Sequence, residues 1–330
     1  MSKIEAAKHP TRRQFIVAAS AVGALSVVGS PVMASDGAQL VTWKGAALGA
    51  EASIQLYHPD PKWARRQLER CYKEINRLEN LFSLYRPNSS ICLLNKNGSL
   101  ENPDIDFIQL LSRAKAFTEV SGGAFDVTVQ PMWKLYADHF QGPNADPKGP
   151  GAAVINKTID LMGAENIYLA SDRVGFLKKG MGITLNGIAQ GYVTDRITQM
   201  LRDAGFDNVL VSLGEQFALG TKPEQQNWRV GIISPADGVS ITKTVDLKNA
   251  AIATSGGYGS PFAPDSNLNH LIDPRTGKTA KLRKSVSVIA NNAVKADMVS
   301  TALSLMTESK GRELVANDPS ILEMIYSNVL

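Results

Sequence analysis

Apolar residues along the chain recur at two different periods, and each change of period marks an element. Leu40–Trp43 and Ala52–Tyr57 alternate apolar with polar positions, which predicts two half-buried strands. From Pro61 to Phe82 the spacing lengthens. Leu68, Cys71, Ile75, Leu78 and Leu81 fall on one face of a helix there. Asp106 to Val120 predicts a second amphipathic helix, ended by Gly122-Gly123. Gln141 to Gly151 is rich in Pro, Gly and Asp and predicts a surface loop. Val174–Leu177, Gly182–Leu185, Val209–Leu213, Trp228–Ile233 and Ile252–Thr254 predict short strands. Tyr192–Ala204 predicts a helix closed by Gly205, Ser285–Ile289 a strand and Ala293–Met306 a helix, before a last helix and strand. This irregular order is neither a βαβ repeat nor an all-β chain, so the expected class is a layered α+β fold.

Composition changes this picture little. At 330 residues the chain is long enough to bury a sizeable core. Its 44% hydrophobic and 20% charged residues are ordinary for a globular protein. A net charge of +4 without a basic stripe gives no reason to expect a nucleic-acid partner.

The N-terminus changes it more. Thr11-Arg-Arg-Gln-Phe-Ile16 is a twin-arginine pattern, followed by a weakly apolar run from Val17 to Val32 and a small-x-small site at Val32-Met33-Ala34. Residues 1–34 are therefore expected to be a twin-arginine signal peptide, with the Tat translocase as a partner during export. The run is too short and too rich in Ala and Gly to span a membrane, and no cysteine follows to carry a lipid. Residues 35–330 are expected to be periplasmic and soluble, and by length could be one large domain or two. Of the two cysteines, Cys71 and Cys92, neither belongs to a C-x-x-C, so structural zinc is not expected. An oxidising compartment would permit them to pair, but the expectation is two thiols.

Candidate chemistry concentrates in two regions about a hundred residues apart. Thr184-Leu-Asn-Gly-Ile-Ala-Gln-Gly-Tyr-Val-Thr-Asp195 puts a glycine-broken loop ahead of an apolar helix, where backbone amides can approach an anion. The plain alternative is a helix-initiating turn capped by Asn186. His270-Leu-Ile-Asp-Pro-Arg-Thr-Gly277 combines turn chemistry with an imidazole, a carboxylate and a guanidinium. His270 suits a general base near neutral pH, Asp273 is near enough in sequence to orient it, and Arg275 suits a pyrophosphate. Asp297 and Thr301, four apart, share a helical face, and oxygen donors of this kind suit a hard cation. A solvated Asp and a half-buried Thr are the plain alternative.

These blocks, in this order, resemble the FAD:protein FMN transferase (ApbE) family. Phe82-Ser-Leu-Tyr-Arg-Pro-Asn-Ser89 with Asn95 is similar to its F-S-x-Y-x-P-x-S stretch. Gly123-Ala-Phe-Asp-Val-Thr-Val-Gln-Pro131 and Ala253-Thr-Ser-Gly-Gly257 resemble two further blocks. The likeness runs from about Gly45 to Thr307, and Leu185–Tyr192 with Leu213-Gly-Glu215 looks most like the NosX branch. It implies a T-fold-like flavin transferase architecture, with a central mixed sheet and outer helices. It also implies Mg²⁺-dependent transfer of FMN from FAD to a Thr or Ser hydroxyl of a target protein, with release of AMP. The NosX likeness implies a role in nitrous-oxide reductase maturation or electron supply. The acceptor implied is an FMN-binding domain of a membrane protein facing the periplasm.

Carried over residue by residue, the resemblance makes His270 and Asp273 catalytic. It sets Leu48, Tyr85, Ala124, Phe125, Asp126, Thr184, Gln190, Ile272 and Arg275 against the flavin dinucleotide. The Gly187 carbonyl, Asp297, Ser300 and Thr301 would hold the metal. The chain departs from the family at Thr184, where Asp is common, and at Gln190, where Lys or Glu is common. Ser300 stands where some members carry a second Asp, and Glu215 where Asp is usual. Two other activities fit the same residues: an FAD carrier without catalysis, and an FAD pyrophosphatase that uses water.

Overall fold

A computed structural model describes residues 37–264, 266–282 and 284–328. The export signal expected over residues 1–34 lies outside the described residues. Strand β1 (Gln39–Ala47) turns into β2 (Ala50–His58) through Leu48-Gly49, whose φ angles of 49° and 79° are both positive. That is the two-residue turn whose twist matches a hairpin. Asp60 then caps α1 (Pro61–Phe82), accepting from the amides of Lys62 and Trp63. The predicted face is the buried one: Leu68, Cys71, Ile75, Leu78 and Leu81 all lie in the core.

Next come α2 (Ser90–Asn97), β3 (Ser99–Glu101), α3 (Ile105–Val120), α4 (Gln130–Gln141) and α5 (Ala152–Ile159). Strands β4 (Ile167–Leu169) and β5 (Arg173–Phe176) join β3 in a small sheet, ordered β3-β5-β4. The chain continues through α6 (Ala189–Asp203), β6 (Val209–Ser212), β7 (Gln216–Leu219), β8 (Trp228–Ile233) and β9 (Ile241–Leu247). It ends with β10 (Ala250–Gly256), β11 (Lys284–Ala290), α7 (Ala293–Ser304), α8 (Glu308–Val315) and β12 (Ile321–Asn328).

Seven strands form the main sheet in the order β1-β2-β6-β7-β10-β11-β12. The α+β class holds, but every pairing in this sheet is antiparallel, where a mixed sheet was expected. Short connections account for two of these pairings, since β1–β2 and β6–β7 are hairpins and a parallel neighbour needs a crossover. Alternate residues of the central strands belong to two cores. Ala251, Ala253, Val286 and Val288 pack with residues of α1, α6 and α7. Ile252 and Ile289 pack instead with Trp228, Val230, Ile232, Val245 and Leu247 of the β8–β9 ribbon.

Gly182–Leu185, expected as a strand, is not one. Its partner is a side chain: Asn95 Nδ2 donates to the Ile183 carbonyl at 2.8 Å and Asn95 Oδ1 accepts from its amide at 2.7 Å. The Asn95 amide thus does what a neighbouring strand would do. Asn186 does not cap the following helix; Ile188 holds the cap position without a side-chain bond. Both cysteines are free. Burial pushes the Cys71 thiol up to about 12, which leaves it inert near neutral pH. Among the described residues no helix is long and apolar enough to cross a membrane.

Helices α6 and α7 approach closely at Gly191. A Cβ there would lie 2.5 Å from the Ala293 carbonyl oxygen and 2.8 Å from Val294 Cα, both backbone atoms that cannot rotate away. Gly191→Ala is therefore expected to destabilise the protein by about 1–3 kcal/mol, as overpacking does. A melting temperature equal to that of the wild type would show that the helices separate without strain.

Candidate active site

The hairpin turn after β1, the end of α1, the β6–β7 turn, the end of β10, the start of α6 and one face of α7 border one cleft. Of the residues expected there, Leu48, Tyr85, Ala124, Phe125, Asp126, Thr184, Gly187, Gln190, His270, Ile272, Asp297 and Thr301 line it. Asp273, Arg275 and Ser300 are not part of its lining.

At the floor sit two buried carboxylates. Asp297, only 3% exposed, is in the second turn of α7 and accepts from the Gly191 amide at 3.1 Å. Burial, reinforced by the charge of Asp195, pushes its carboxyl up to about 7, against the pull of that amide. Glu215 follows Gly214 (φ 101°) in the β6–β7 turn, and burial together with the charge of Asp297 holds it well above the usual carboxylate range. Asp195 braces the floor from behind. It accepts from the amides of Ala293 and Val294 at 2.7 and 2.9 Å, fixing the start of α7 to α6, and burial raises it to about 6.

Hydroxyls sit beside this pair. Ser255 Oγ, at the end of β10, is 2.9 Å from Ser300 Oγ and 3.3 Å from Thr301 Oγ1. Ser300 is fully buried and its hydroxyl donates to the Asp297 carbonyl at 3.0 Å, so it supports the cluster from within the helix and does not face the cleft. Gly187 lies against Thr301: a Cβ would fall 2.9 Å from Oγ1. Several amides of the glycine loop are already used. Ile188 and Ala189 donate to the Leu185 carbonyl and Gly191 to Asp297, so these three amides are engaged within the protein.

The His270 segment also departs from expectation. Both Asp273 oxygens are held by Arg275: Nε and Nη2 donate at 2.8 Å each, and the Arg275 amide adds a third bond at 3.0 Å. Asp273 therefore orients Arg275 and not His270, and Arg275 is folded back onto the turn, outside the cleft. The physical reason is local. Gly277 (φ 67°) bends the chain so that its amide returns to the Asp273 carbonyl at 2.8 Å, stacking the two side chains. His270 lies with Nδ1 3.3 Å from the Ser260 carbonyl. Asp126 also turns inward, accepting from Thr128 and from the Ala164 amide, so its carboxylate is engaged by the chain itself.

Two lining residues, Trp133 and Tyr258, have no counterpart in the sequence motifs, while Thr254 and Ser255 stand out there only as members of a block resembling the family. Glu215 was noted only as a departure. Its available signal was a lone acid beside glycine between two apolar strands.

Comparison with known proteins places this geometry. The ApbE family profile matches residues 48–326. The FAD:protein FMN transferase of Vibrio cholerae is 28% identical over 304 residues, covering 88% of this chain and 89% of that protein. Its namesake from Escherichia coli K12 is 27% identical over 301 residues, covering 87% and 84%. The solved structure of the apbe protein from Thermotoga maritima superposes with a TM-score of 0.72 at 28% identity, over 87% of this chain and 94% of that one. The flavin transferase ApbE from Vibrio cholerae shares the fold at the same TM-score and 23% identity, over 88% and 97%. With a profile match over most of its length, this chain belongs to the ApbE family.

Proposed function

We propose that this protein is an enzyme that transfers FMN from FAD to a Thr or Ser hydroxyl of a target protein and releases AMP. Relatives that carry the name FAD:protein FMN transferase over most of the chain support the reading. The observation that carries it is the cleft floor, where Glu215 and Asp297 lie with Thr301, Ser255 and the His270 imidazole around one opening.

In this reaction the acceptor oxygen attacks the FMN-side phosphorus of FAD. The bond from that phosphorus to the bridging oxygen breaks, and AMP leaves with that oxygen. A phosphodiester forms, and the hydroxyl proton passes to a base, for which His270 is the candidate within the cleft. Tyr85, half exposed at the mouth, and Phe125, buried against Phe117, offer flat surfaces to flat rings.

The donor set suits a hard cation. It is composed of carboxylate, hydroxyl and carbonyl oxygens with no thiol, and a buried acidic pair is stabilised by positive charge. Among the described residues no three His, Cys, Asp or Glu side chains form a ready metal cluster, which favours an ion that also takes waters and substrate phosphates. Asp297, Thr301 and the Gly187 carbonyl would hold Mg²⁺. Bound there, the ion would neutralise charge on the pyrophosphate.

The twin-arginine pattern supports export to the periplasm and an acceptor domain facing that compartment on a membrane protein. The NosX-like segments support a role in nitrous-oxide reduction. Incubation with FAD, Mg²⁺ and a candidate acceptor domain tests the activity. Flavin fluorescence that stays on the acceptor after denaturation, with one AMP per flavin, is expected. Steady AMP release without acceptor would make it a pyrophosphatase, and FAD binding with neither product would make it a carrier.

A further inference from the structure

Two residues of the cleft wall, Leu48 and Tyr85, come from different elements, and one side chain outside the cleft ties them together. Leu48 occupies the first position of the hairpin turn with φ 49°, where Asn, Asp or Gly is preferred over a large apolar residue. Its amide donates to Glu79 Oε1 at 2.7 Å. The other oxygen of Glu79 accepts from Arg86, the residue after Tyr85. Arg86 is itself fixed by Asn80 Oδ1 at 2.7 Å and Asn76 Oδ1 at 3.0 Å, both on α1. The two anchored pieces touch: a Cβ on Gly49 would lie 3.3 Å from Tyr85 Cε2.

We infer that Glu79 is a positioning residue that holds the Leu48-Gly49 turn and the Tyr85-Arg86 turn as one wall of the flavin-binding cleft. The assignment of that cleft to flavin rests on the reading under Proposed function; the anchoring itself does not. Glu79 is mostly buried, with a side chain 14% exposed, and it is not part of the cleft lining. It therefore acts through Leu48 and Tyr85 and touches no reacting group. Its carboxylate offers separate acceptors to two donors from two segments, which a shorter or neutral side chain cannot match.

Two measurements test this, one of which needs no ligand. In Glu79→Ala the Leu48 amide should exchange its hydrogen roughly tenfold faster or more, as its bond is lost and the turn opens locally. In the same variant the FAD dissociation constant, read by flavin fluorescence, should rise about tenfold, and about threefold in Glu79→Gln. Turnover at saturating FAD should stay within about twofold of the wild type, because no transition-state contact is removed. Unchanged Leu48 exchange overturns the anchoring, even if the wild type binds no flavin and the functional reading has failed. FAD affinity equal in wild type and variants, whatever their melting temperatures, overturns the link to the cleft. Should Glu79→Ala not fold, Glu79→Gln decides by the same two readouts.

Discussion

Asp297→Asn is expected to reduce flavin transfer by at least about 10²-fold while making the metal-free protein more resistant to heat at pH 8. Both effects come from one buried charge. Burial raises the Asp297 carboxyl to about 7 in the folded state, against 3.8 as its ordinary value. A carboxyl raised on folding binds its proton more tightly in the folded chain. Its contribution to stability is thus complete below about pH 4 and is lost as pH rises through about 7. At pH 8 the wild type bears the full cost of a buried anion next to a second buried acid, Glu215. Asparagine removes that charge yet can still accept from the Gly191 amide, so a gain on the order of 2–4 kcal/mol is expected at pH 8 and little at pH 4. Added Mg²⁺ should raise the melting temperature of the wild type and leave that of the variant unmoved. Equal stabilisation of both by Mg²⁺, or wild-type transfer by the variant across a magnesium titration, would remove Asp297 from the metal site.

Burial also decides how much of the fold is legible in the sequence. Elements with a continuous buried face announced themselves: α1 begins and ends where its apolar period does. The helix α4 did not, because its two buried residues, Met132 and Tyr136, are embedded among further aromatics and give no clean stripe. Strand β9 was missed because its first four residues are all exposed, which hides the alternation. Gly182–Leu185 misled in the opposite sense. Asn95, far away in the chain, supplies hydrogen bonds that a neighbouring strand would make.

At the site, residue types were more legible than directions. The i, i+4 spacing of Asp297 and Thr301 placed both on the cleft side of α7, since a helix fixes which side chains share a face. Ser300, one residue earlier, is buried behind the cleft lining, where it bonds to the Asp297 carbonyl and to Ser255. Turns carry no such rule. Asp273 and Arg275 are two apart in a bend whose shape depends on the positive φ of Gly277, and they close on each other. Gly123, at the start of another cleft segment, packs against the Arg275 stem, with a Cβ there only 3.5 Å from Cγ. Arg275 thus braces the cleft from outside.

The fate of Asp273 sharpens the expected result for His270. His270→Ala should lower turnover at saturating FAD by ~10²–10⁴-fold, the usual contribution of a general base, with FAD affinity nearly unchanged. In the contact with Ser260 the carbonyl oxygen can only accept, so that contact calls for a proton on His270 Nδ1. Added imidazole should restore part of the lost rate. Asp273→Asn should behave differently, because both oxygens serve Arg275 and neither is offered to a proton in the cleft. Its effect should fall on stability and on the binding of FAD through a loosened turn, with turnover at saturation largely kept. If His270→Ala instead loses FAD affinity and keeps its turnover, His270 is a binding residue. The proton must then go to a carboxylate, and Glu215, which lines the cleft, precedes Asp273 as the group to replace.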